Sequence, residues 1–176
     1  LALLFLVVLL SLLLILLPFV IRRKPEIHKL PAGLRWKALL YFSFLGIGFM
    51  FVEIPLIQHS ILYLGHPIVA FTVVVFSILV FSSLGSAFVR DRRIRPDVML
   101  VSLVVFTVVI PAILRGLISV TLGWSLAPRI LLTIISLAPL AILMGMPFPL
   151  GLMSLERNQA ELIPWIWAVN GSTSVV

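Results

Sequence analysis

The sequence predicts an all-α fold, a polytopic transmembrane helix bundle with five complete spans plus the start of a sixth. Three observations carry that expectation. Apolar residues make up 62% of the chain and the mean hydropathy is +1.27, well above the roughly 45–50% apolar content of soluble domains. The apolar residues fall into runs of about twenty, the length a helix needs to cross a ~30 Å hydrocarbon core. The charged residues are confined almost entirely to the short segments between those runs.

The runs follow in order. The first, 1–21, is rich in leucine with Pro18 late in it, and is followed by a basic loop, 22–37. The second, 38–64, is interrupted by Pro55 and ends at the turn Gly65-His66-Pro67. Pro67 disfavours helix at His66 and is suited to open the next helix. The third run, 68–89, is closed by Arg90, Asp91, Arg92, Arg93 and Arg95, and the fourth covers 98–118. A stretch containing Gly116, Trp124 and Pro128 leads to the fifth, 130–150, and Pro164 opens the sixth. Eleven of the 13 Lys and Arg residues lie in the loops 22–37, 90–97 and 151–163, leaving Arg115 and Arg129 on the other side. By the positive-inside rule the basic loops are expected in the cytoplasm, which makes the chain a multi-pass protein of the inner (plasma) membrane. Trp36, Trp124 and Trp165 fall near expected interfaces, where indole rings prefer to sit.

Charge and composition narrow the function classes. The net charge of +7 sits at span ends, where it serves orientation and contact with anionic lipid rather than nucleic acid. The chain has no cysteine, which excludes disulfides, thiolate metal sites and cysteine nucleophiles. Residues 1–176 read as a single transmembrane helical domain, expected to be a fragment of a longer chain cut at both ends. The chain opens apolar at Leu1 without a methionine, and its basic residues follow the first run, unlike a signal peptide. The run that starts at Pro164 stops at Val176, too short to span. No metal and no cofactor are expected in this segment.

Glu53 is the most informative single residue, being the only acid in the run 38–64. An ionisable group at membrane depth costs roughly 2.5–3.5 kcal/mol on insertion scales, so it marks a functional site or a partnered contact. Pro55 cannot donate to the carbonyl of Phe51, which frees an acceptor nearby. Glu53, Gln58, His59 and Arg115 form the candidate intramembrane polar site, as a substrate or proton route or as a pin between helices. Glu53 lies 16 residues past Lys37 and Arg115 lies 18 past Asp97, depths of about 24 and 27 Å at 1.5 Å per residue. Equal depth leads to the expectation of a Glu53–Arg115 ion pair.

Gly145, Pro147, Pro149 and Gly151 are a candidate helix break, read either as an unwound segment of the kind transporters use or as a sharp helix terminus. The patch Ser82, Ser83, Gly85, Ser86 and Ala87 allows close helix–helix approach and implies packing alone. His59 and His66 are expected at an interface or a cap rather than on a metal. Asn170-Gly171-Ser172 matches a glycosylation acceptor in form only, because it lies in an apolar run. Gly46-Ile47-Gly48 is mid-span, with no strand before it to make a phosphate loop. No Ser/His/Asp arrangement, paired carboxylates or nucleotide fingerprint is present.

Four strings, GFMFVEIPLIQHSILYLGHP, FSSLGS, MGMPFPLGL and PWIWAVNGSTSVV, together resemble the membrane region of bacterial multi-spanning proteins of the spermidine synthase-like kind. In these a polyamine aminopropyltransferase-type domain is fused to transmembrane helices. The resemblance covers the chain from about Tyr41 onward, in the same order. It implies a soluble α/β domain before Leu1 that would carry any nucleotide-derived cofactor, with this chain as a non-catalytic membrane anchor serving substrate or product passage. It places no catalytic residue on these positions. The partners it implies are the lipid bilayer and that fused domain, with no nucleic acid. The alternative from the residues alone is a secondary transporter with Glu53 as the coupling carboxylate.

Overall fold

The computed structural model describes residues 32–91, 95–155 and 162–174. They form six helices: α1 (Ala32–Leu64), α2 (Pro67–Asp91), α3 (Pro96–Thr121), α4 (Leu126–Met144), α5 (Pro147–Ser154) and α6 (Ile163–Thr173). No strand occurs among the described residues. Four stretches are long and apolar enough to cross a membrane: Trp36–Leu64, Pro67–Val89, Pro96–Thr121 and Leu126–Ser154. The expected first span, 1–21, lies outside the described residues, and α6, with 11 residues, is too short to span.

Proline sets several helix starts. Pro67, Pro96 and Pro147 each occupy the first position of a helix and Pro164 the second, where a missing N–H costs nothing because first-turn donors lack intrahelical partners. This is why α3 starts at Pro96 rather than at 98; at its other end it runs to Thr121, past the expected 118. Pro128 is likewise absorbed into the first turn of α4, so that helix begins four residues before the expected 130. The basic loop is shorter than expected, since 32–37 already belongs to α1. Leu64 is followed by Gly65 at φ +76°, a left-handed conformation that glycine adopts freely, and its N–H closes the helix onto the Ile61 carbonyl at 2.9 Å.

The most extensive helix pair is α2 with α4. Both run away from the Gly65 turn: Ala70 and Ile130 share one apolar cluster beside it, and Ile78 and Leu140 share the next. Gly85 and Gly145 meet at the seam. A Cβ on Gly85 would come within 2.8 Å of the Ile142 carbonyl carbon, and one on Gly145 within 2.6 Å of that of Ser82. Each glycine thus lies against the partner's carbonyl three residues upstream, a reciprocal arrangement suited to Cα–H···O contacts. The Ser82–Ala87 patch is one half of this seam.

Helix α1 packs against α2, α3, α4, α5 and α6. Its Gly46 lies against the Asn170 carbonyl and the Thr173 hydroxyl of α6, and Asn170 donates from Nδ2 to the Phe42 carbonyl at 3.0 Å. The core is Leu56, Val74, Ile78, Ile110, Leu114, Leu137, Leu140, Ala141 and Met144. Around it, large apolar side chains face outward: Phe51 is 75% exposed, Val120 74% and Ile68 83%. Such a perimeter suits hydrocarbon.

Gly85→Ala and Gly145→Ala should each destabilise the bundle by about 1–3 kcal/mol, the usual cost of overpacking. Gly48→Ala, where a Cβ meets nothing within 4 Å, should be neutral or stabilising because alanine is the better helix former. Unfolding in mixed micelles, followed by circular dichroism, checks the difference.

Candidate functional site

Polar side chains converge at the Gly65 end of the bundle. His59 and Tyr63 are four residues apart on α1 and therefore lie one above the other on one face. Arg115 of α3 donates from Nε to His59 Nε2 at 3.2 Å. A guanidinium has no acceptor, so His59 Nε2 carries the lone pair and Nδ1 carries the hydrogen. That hydrogen goes to the Pro55 carbonyl at 2.8 Å. The two contacts together assign the neutral Nδ1–H tautomer to His59.

Tyr63 is fully buried, and its hydroxyl is 2.6 Å from Thr121 Oγ1 of α3. The Thr121 hydroxyl donates to the Leu117 carbonyl at 2.6 Å, so its single proton is committed and Tyr63 is the donor in the shared bond. The guanidinium of Arg129, from α4, lies over the Tyr63 ring at 5.1 Å from the centroid, an arrangement worth about 0.5–2 kcal/mol. Arg129 Nε is buried with no hydrogen-bond partner among the described residues.

The Glu53–Arg115 ion pair does not form. The ion pair among the described residues is Arg95–Asp97 at 2.7 Å, with both side chains mostly exposed. Glu53 and His59 are six residues apart, about 9 Å along the helix axis, and Arg115 is level with the latter. Counting depth from the flanks assumed that α1 and α3 enter in one plane, whereas α1 starts at Ala32 and is displaced along its axis. Glu53 is half-buried and Gln58 exposed, and neither has a hydrogen bond among the described residues. His66 is exposed in the turn, and no cluster of metal-ligating side chains occurs among the described residues.

The other candidate element lies at the opposite end. Helix α4 stops at Met144, Gly145 and Met146 form the interruption, and α5 resumes at Pro147 with Pro149 and Gly151 inside it. Tyr41 donates to the Pro147 carbonyl at 2.9 Å, and Gly151 leaves room for the rings of Tyr41 and Phe42. Phe42, Phe148 and Trp167 continue this contact as a row of edge-on and tilted rings, with centroids 5.2 and 4.7 Å apart. A largely apolar cavity of about 410 Å³ opens beside Met146, lined by Phe88, Met99, Ser102 and Leu143 among others.

Sequence reasoning brought His59 and Arg115 into one candidate site but missed Tyr63, Thr121 and Tyr41. The available signal for Tyr63 was its i+4 spacing from His59. Nothing in the spacing pointed to the pairing across 58 residues that joins it to Thr121. Comparison with known proteins found no match to any protein-family model, curated protein or solved structure.

Because Glu53 and Arg115 are not paired, the changes Glu53→Gln and Arg115→Gln should be additive in stability to within about 0.5 kcal/mol. A double-mutant cycle on the purified chain measures this, and a larger coupling would show that the two groups interact.

Proposed function

We propose that this chain is the membrane domain of a spermidine synthase-like protein, non-catalytic by itself. It anchors a fused soluble α/β domain and serves passage of that domain's substrate or product. The observation that supports this is where the resembling strings fall. FSSLGS and MGMPFPLGL supply the two halves of the α2–α4 seam, through Ser82, Gly85 and Gly145. PWIWAVNGSTSVV supplies Asn170 and Thr173 against Phe42 and Gly46 of α1. The residues that carry the resemblance are thus largely those that join helices, as befits a framework. In this reading 1–21 is a further span, α6 begins a sixth, the protein lies in the bacterial inner membrane, and the loops 22–37 and 90–97 are cytoplasmic.

A second reading, a secondary transporter, is favoured by one observation. Glu53 sits within an apolar span and has no polar partner among the described residues, which suits a carboxylate that takes up and releases a proton or cargo. In this reading the interruption at Gly145–Met146 serves as a gate.

Two measurements separate these readings and test the orientation. In proteoliposomes the anchor reading gives no proton or polyamine flux that depends on Glu53. Flux abolished by Glu53→Gln would replace it with the transport reading. The chain has no native cysteine, so Arg92→Cys reports sidedness directly: an impermeant thiol reagent should label it only after permeabilisation. Labelling in intact cells would reverse the topology.

A further inference from the structure

We propose that Arg115 and Arg129 form a binding site for a phosphate-bearing anion at the Gly65 end of the bundle. The two guanidiniums come from different helices but rest on adjacent turns of one face of α1. Arg115 is on His59 and Arg129 over Tyr63, side chains whose Cβ atoms are about 5–6 Å apart at this spacing. Both supports are uncharged: His59 is held as the neutral tautomer by its two contacts, and Tyr63 spends its hydroxyl on Thr121. Neither arginine has a carboxylate within ion-pair distance among the described residues. The acid on α1, Glu53, lies about 9 Å farther along the axis from His59. Two positive charges therefore rest on successive turns of α1 near the end of an apolar bundle, with no carboxylate partner among the described residues.

The donors are unspent as well as the charge. A guanidinium offers five N–H groups; Arg115 uses its Nε on His59 and has no other hydrogen bond among the described residues. Arg129 Nε is buried and has no partner among the described residues, although buried donors are nearly always satisfied. Arg129 also lies at the start of α4, whose N-cap residue Ser125 makes no side-chain cap hydrogen bond. First-turn N–H groups and the helix dipole there add to the pull on an anion. Planar forks of this kind match phosphate oxygens two at a time, which favours a phosphate group over a halide. The phosphate is carried either by a lipid headgroup or by a soluble ion, since both present the same oxygens.

Binding of the full chain in neutral detergent is measured with two probes, inorganic phosphate and short-chain phosphatidylglycerol. At least one should bind, and Arg115→Gln and Arg129→Gln should each weaken it about tenfold or more, the loss of a charge-assisted hydrogen bond. Arg95→Gln, at the opposite end, should leave it unchanged. Binding of the lipid without inorganic phosphate assigns a headgroup site, and the converse a soluble anion. Arg115→Lys and Arg129→Lys keep the charge and replace the glutamine variants if those do not fold; they too should weaken binding. Affinity equal to wild type in the arginine variants, or no binding of either probe, overturns the proposal.

Discussion

The approach of α2 to α4 at Gly85 and Gly145 is the constraint on which the rest of the arrangement depends. Lipid tails are as apolar as leucine, so burying leucine gives helices in a bilayer little reason to associate; close packing and polar contacts supply it instead. Here each glycine admits a carbonyl of the other helix into the space of the missing side chain. Bringing the backbones that close places Leu137, Leu140 and Ala141 against Val74 and Ile78. It also sets the level of the start of α4, and with it the position of Arg129 over Tyr63.

Helix α1 is the second organising element because it serves both ends. Near its start, Tyr41 and Phe42 hold the α4–α5 interruption and α6. Near its end, His59 and Tyr63 receive polar groups from α3 and α4. Pro55 lies within α1 without ending it, and its carbonyl accepts from His59. Hydroxyls elsewhere are satisfied locally, with Ser43, Ser77, Thr107 and Thr133 each donating to the carbonyl four residues back. That is the low-cost way to keep a hydroxyl in an apolar helix. Ser60 differs, being buried with no partner among the described residues.

Much of the framework was legible in the sequence because hydropathy and proline position act locally. Four of the expected spans correspond to stretches long and apolar enough to cross a membrane, and the Gly65 turn falls where its residues placed it. The small-residue patch at Ser82–Ala87 was readable as a packing surface, but its partner was not, since Gly145 drew notice only for its neighbouring prolines. The polar end was legible in part. His59 and Arg115 stood out as polar groups in apolar runs, yet pairing Arg115 with His59 rather than Glu53 depends on the axial offset between two helices, which tertiary packing sets. Tyr63 and Thr121 were silent because an aromatic and a hydroxyl residue at a span end are ordinary in themselves.

The most direct test of the account is the register of the α2–α4 seam. Ser82→Cys on α2 and Ile142→Cys on α4 place one thiol on each side of it in an otherwise cysteine-free chain. A short bifunctional thiol reagent applied in native membranes should join this pair efficiently. It should fail to join Ser82→Cys to Ile135→Cys, seven residues and about 10 Å up the same helix. Equal or preferential cross-linking to position 135 would mean that the glycines do not meet, and would contradict the account.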